Sequence, residues 1–131
     1  MKRAALLLVL VPTFALADVD VTRPNATPNA ATLRAGRSDL AAKGYADALS
    51  RMKAGAESVE TVMIWSSRWR DAEAAVSTDP SAAATAAGRH FERAKLVEGL
   101  ARERVATGTM RPGEANAALW WRTDAELATL K

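Results

Sequence analysis

From about Ala31 onward, apolar residues recur at three- and four-residue steps, the period of a helix with one buried face. Leu33, Leu40, Ala41, Gly44, Tyr45, Ala48 and Met52 form a first narrow stripe, which Gly55 closes as a left-handed cap. Ser58 is placed to cap a second helix, whose stripe runs through Val59, Val62, Trp65, Trp69, Ala72 and Val76. Asp79 and Pro80 have the chemistry of a cap followed by a first-turn proline. They open a third and longest helix, with Ala83, Ala87, His90, Ala94, Val97, Ala101 and Val105 on one face before Gly108. Pro112 starts a fourth, which runs through Leu119 and Glu126 to Leu130. No segment alternates long enough to predict a strand. The fold class expected is all-α, a four-helix bundle built from two helical hairpins with short connections.

The residues before this pattern read differently. "MKRAALLLVLVPTFALA" combines a basic start at Lys2 and Arg3, an apolar run from Ala4 to Val11 and a small-x-small site at Ala15-Leu16-Ala17. Residues 1–17 are therefore expected to be a cleaved signal peptide, the apolar run being short of the ~20 residues that span a bilayer. Residues 18–30 hold two prolines and few large apolar side chains, and read as a flexible linker. Residues 31–131 form the bundle domain. Asn25-Ala26-Thr27 has the form of a glycosylation acceptor, but the short signal looks bacterial.

Charge alters the picture little. Lys2 and Arg3 supply two of the 18 basic residues, against 15 acidic ones, so the exported chain is close to balance and no basic block marks a nucleic-acid surface. With no cysteine, an exported chain of this size depends on packing, helped by any partner it has.

A shift of 53 positions lays Arg51-x-x-x-Gly55 on Arg104-x-x-x-Gly108, and Asp71-Ala72-Glu73 on Asp124-Ala125-Glu126. Each copy places a helix end, a glycine turn and a helix start in the same order, which is the reason for reading two hairpins.

Those segments, with Trp65-Ser66-x-Arg68, His90-x-x-Arg93 and the aromatic pair before Arg122-x-Asp124-Ala125-Glu126, resemble a family of uncharacterised exported bacterial proteins of planctomycete type. The resemblance covers Tyr45 to Leu130; Gly99 and the pair Trp120-Trp121 depart from the family's usual residues. Each half is similar, more weakly, to the periplasmic hairpins of TolC-like efflux proteins. Neither resemblance implies an activity or assigns a residue.

Candidate chemistry is sparse. Asp71 and Glu73 stand two apart on a helix and point to different sides, as do Asp124 and Glu126, so ion pairing is the better reading than a carboxylate dyad. The expected pairs are Arg68 with Asp71, Arg70 with Glu73, and Arg122 with Glu126. His90 lies on an apolar stripe without His or Cys company, and reads as a core or boundary residue bonded to a neighbour. Trp65 and Trp69 share a face and are expected to fill space that alanines leave open. Trp120 and Trp121, about 100° apart, cannot both point inward. Trp120 is the member expected outside, and Trp120, Trp121 and Arg122 are the candidate partner-binding residues, by docking or by a cation–π contact.

The function expected is an exported helical interaction or structural module of the bacterial envelope, periplasmic or secreted. It has no cofactor, metal or catalytic residue, no nucleic-acid partner and no membrane span after cleavage; its partner is an envelope protein or, as a homo-oligomer, itself. The alternatives are a small enzyme using Arg68, Glu73, His90 and Glu126 across the helices, and a metal-responsive sensor around His90.

Overall fold

A computed structural model describes residues 29–131; the signal and most of the linker lie outside the described residues. Four helices follow in order: α1 (Ala30–Lys53), α2 (Val59–Val76), α3 (Pro80–Ala106) and α4 (Pro112–Thr129). Each start has a local cause. The Asn29 side chain accepts from the Thr32 amide at 2.8 Å, so the helix begins inside the stretch assigned to the linker. Ser58 Oγ accepts from Thr61 N at 3.2 Å, and Asp79 Oδ1 from Ser81 N at 2.9 Å with Pro80 in the first turn. Arg111 precedes α4 without a side-chain cap, and Pro112 opens it.

The two glycine turns are copies of each other. Gly55 and Gly108 adopt φ of 81° and 72°, conformations costly for any residue with a Cβ. Around Gly55 the bonds run Ala54 N to Ser50 O, Gly55 N to Met52 O and Ala56 N to Arg51 O. Around Gly108 they run Thr107 N to Glu103 O, Gly108 N to Val105 O and Thr109 N to Arg104 O, the same three bonds displaced by the repeat.

The helices form an all-α bundle in which α1 lies chiefly on α2, α2 on α3, and α3 on α4, with a lesser contact between α2 and α4. Its centre is built from Met52, Val59, Val62, Met63 and Val97, all fully buried, together with alanines 48, 72, 94, 101, 118 and 125. So many alanines let the helices approach closely and leave no room inside for an indole. Trp65 and Trp69 are therefore half-buried along the seams instead of filling the interior as expected. The expected stripes also overreach at their ends. Leu33 and Leu40 of α1, Val76 of α2, Leu119 of α4 and Leu130 at its C-cap are exposed. Ala83 is exposed as well. Helix α1 is longer than α2, 24 residues against 18, so its first turns extend past α2 and, among the described residues, have no neighbour to cover them. In α4 the inward positions are Ala118 and Ala125.

The end that carries both glycine turns is tied across the bundle. Arg104, at the end of α3, donates to the Met52 carbonyl, which also accepts from Gly55 N, and, at 2.8 Å, to the Lys53 carbonyl, so it caps the end of α1. Glu114, in the first turn of α4, accepts from the Val59 amide at 2.8 Å and so caps α2. Among the described residues, Arg51, the repeat partner of Arg104, pairs with Asp47 in its own helix and reaches no carbonyl across the bundle.

Candidate functional site

Three helices contribute to a buried polar cluster. Ser66 (α2) and His90 (α3) are fully buried, and Ser66 Oγ lies 2.8 Å from His90 Nδ1. Arg93, one turn along α3, donates through Nε to Ser66 Oγ at 2.9 Å and through Nη2 to the Ser66 carbonyl at 3.4 Å. Its guanidinium also stacks over Trp69, 4.1 Å from the ring centroid, lies 5.8 Å from that of Tyr45, and meets Glu73 at 3.5 Å.

Proton bookkeeping follows from these contacts. Arginine only donates, so the Ser66 hydroxyl accepts from Arg93; its bond with His90 Nδ1 runs in the direction the imidazole tautomer sets. His90 is a neutral imidazole whose Nε2 is buried with no hydrogen-bond partner among the described residues. Burial first, and the positive charge of Arg70 and Arg93 second, hold its pKa down to about 4. Burial likewise raises the Tyr45 phenol and lowers the Arg93 guanidinium, the latter against the opposing pull of Glu73.

A hydroxyl on an imidazole nitrogen is also the geometry of an activated nucleophile. Here, however, Ser66 is enclosed, its hydroxyl oxygen accepts from Arg93, and among the described residues no carboxylate orients the imidazole from the other side. The cluster locks α2 against α3.

The four residues of the enzymatic alternative do not converge. Glu73 and His90 flank Arg93, but Arg68 lies outside, its guanidinium 4.7 Å from the Trp65 ring centroid, and Glu126 is exposed on α4. The expected ion pairs are partly redrawn. Arg122 meets Glu126 at 3.4 Å as expected. Arg70 turns to Asp71 at 2.8 Å, while Glu73 faces α3 and takes Arg89 at 3.0 Å along with Arg93. Among the described residues no three His, Cys, Asp or Glu side chains gather as a metal would require. No described helix is long and apolar enough to cross a membrane.

The three candidate partner-binding residues part company on α4. Trp120 is 61% exposed, whereas Trp121 is half-buried against the core, the two rings meeting edge to face at 5.0 Å. Arg122 turns toward α3, where it meets Glu98 at 3.7 Å and the Phe91 ring at 6.0 Å, so the expected contact with a neighbouring tryptophan does not form. Trp120 has other company. At about 100° per residue, Leu119, Leu127 and Leu130 fall within about 100° of it on the outer face, and all three are exposed.

A second apolar feature lies on another side. Where α1 and α3 diverge over α2, a groove of about 630 Å³ opens, with Tyr45 and Trp69 as its aromatic wall and Thr85, Gly88, Glu92 and Leu96 of α3 along its other edge.

Compared with known proteins, the chain matches no family model, and neither a curated protein nor a solved structure is detectably similar to it.

Proposed function

We propose that the protein is an exported helical interaction module of the bacterial envelope, built from two hairpins, that binds a protein partner through the outer face of α4. The observation that carries the reading is the exposed set of Leu119, Trp120 and Leu127 on one side of α4, continued by Leu130 at its C-cap. Scattered surface leucines are ordinary, but three leucines that share an exposed face with a tryptophan, interrupted only by Thr123, have the composition of a helix that docks. The duplicated turn bonding supports the hairpin reading, and the signal-like N-terminus supports export. Partner recognition is helix-in-groove, with Trp120 as the anchor.

A photoreactive amino acid placed at position 120, in the native host, tests this. Position 120 should give a discrete, saturable protein adduct, while the exposed control positions 84 and 103 on α3 should not. Equal yields from all three positions overturn the reading.

A further inference from the structure

We infer that a second surface, at the seam of α1 and α2, seats the protein on an anionic phospholipid bilayer, with a lipid headgroup held between Arg37 and Arg68. It stands on helices other than α4 and does not depend on the reading of that face.

Most arginines of the bundle are engaged. Arg51, Arg70, Arg89, Arg93, Arg102 and Arg122 meet carboxylates, and Arg104 meets backbone carbonyls. Among the described residues Arg34, Arg37, Arg68 and Arg111 have no such partner, and three of these four gather in one place. Arg37 and Arg68 line a cleft of about 350 Å³ with Leu40, Ala41 and Trp65, and Arg34 stands one turn before Arg37. The Arg68 guanidinium is held by the Trp65 ring, 4.7 Å from its centroid, and keeps its donors for something else. Cations gathered without a counter-charge repel one another, and an anion seated among them relieves that repulsion.

Acidic groups do not supply the counter-charge. Asp39 lies about 160° round α1 from Arg37. Asp47 is taken by Arg51 and Asp71 by Arg70, while Glu60 stands two turns before Arg68.

Apolar residues on the same surface say which anion fits. At about 100° per residue, Leu33, Arg37 and Leu40 fall within about 60° of one another, with Arg34 about 60° beyond on one side and Lys43 about 60° beyond on the other. Both leucines are exposed, and Ile64, exposed one turn before Arg68, carries the apolar area onto α2. A free phosphate or a soluble polyanion makes no use of those side chains. A bilayer surface does: leucines enter the acyl boundary while the arginine heads reach the headgroup phosphates, which suit their paired donors. The first turns of α1 extend past α2, so among the described residues no helix stands between them and the lipid.

Vesicle flotation of the chain from Asp18 onward tests this. It should float with vesicles of phosphatidylglycerol and phosphatidylethanolamine but not with phosphatidylcholine alone, and about 0.5 M NaCl should release it. A basic residue near an anionic surface strengthens binding roughly fivefold. Arg37→Gln combined with Arg68→Gln should therefore weaken binding roughly twentyfold or more, and Arg111→Gln, at the head of α4, by less than about twofold. Leu40→Ser, which changes no charge, should weaken it by about threefold or more. All of these positions are exposed, and circular dichroism should show the parent's helix content for each variant. Millimolar inorganic phosphate should displace nothing. The inference is overturned by a chain that ignores anionic vesicles, by losses from Arg111→Gln equal to those from Arg37→Gln, by indifference to Leu40→Ser, or by displacement with phosphate. Crosslinking from position 120 is read separately, so failure here leaves the α4 reading standing, and failure there leaves this one.

Discussion

Gly44 of α1 lies face to face with the Trp65 indole of α2: a Cβ on Gly44 would fall 2.4 Å from Cε3 of that ring. A helix-interior glycine ordinarily costs about 1 kcal/mol relative to alanine. Here the missing side chain is the seat of the tryptophan. Gly44→Ala should therefore destabilise the fold by about 1–3 kcal/mol despite the better helix propensity, and red-shift part of the tryptophan emission as Trp65 is pushed outward. Equilibrium urea unfolding followed by fluorescence measures both.

Removing Arg104 should be felt at a distance in the chain. Arg104→Ala uncaps α1, and the expected loss is about 1–2 kcal/mol, larger than for Arg51→Ala at the equivalent place in the repeat. Glu114→Ala uncaps α2 and should cost about 1 kcal/mol. Denaturant midpoints of the three variants give the order directly; a loss at Arg51 equal to that at Arg104 contradicts the cross-bundle capping.

His90 ties stability to acid pH. Its pKa in the fold, about 4, lies below the ordinary 6.5, so the native state holds the imidazole neutral while the unfolded chain takes up a proton first. The contribution is fully present above pH 6.5 and is lost as pH falls toward 4, amounting to on the order of 3 kcal/mol at ~1.4 kcal/mol per pKa unit. His90→Gln has no proton to gain, so its unfolding free energy should fall less than the parent's between pH 7 and pH 5. Parallel slopes for the two proteins count against a neutral buried imidazole.

The paired tryptophans on α4 should behave unequally. Trp121→Ala removes a ring packed on the core and should cost about 2–3 kcal/mol, short of the 3–5 kcal/mol of a fully buried aromatic. Trp120→Ser should change monomer stability by less than about 1 kcal/mol. Thermal melts at low protein concentration, where association is negligible, compare them.

The helix starts were legible because caps are local chemistry: Ser58 and Asp79 each bond the backbone of their own first turn. The glycine turns were legible for the same reason. Helix faces were harder to assign. Leu33, Leu40, Leu119 and Leu130 keep helical spacing whether or not a neighbour covers them, and the spacing alone does not say that alanines are doing the close packing. Ser66 stood in the Trp65-Ser66-x-Arg68 segment but drew no role, because a small hydroxyl between Trp65 and Ser67 carries no pattern of its own. Its place one turn before Arg70 and four residues after Val62, on the side that α3 meets, is visible only once His90 and Arg93 stand opposite it.

The tie made by Arg104 and Glu114 sits at one end of the bundle only. At the other end α1 begins with Ala30 to Leu40 almost wholly in solvent, and the connection Ser77 to Asp79 is exposed as well. Amide exchange should accordingly be graded along the bundle axis, fastest in the first turns of α1 and slowest beside Met52 and Val59. Tension applied through the N-terminus would peel α1 from α2 turn by turn, and would meet its main resistance only at the far end, where Arg104 grips the last carbonyls of α1.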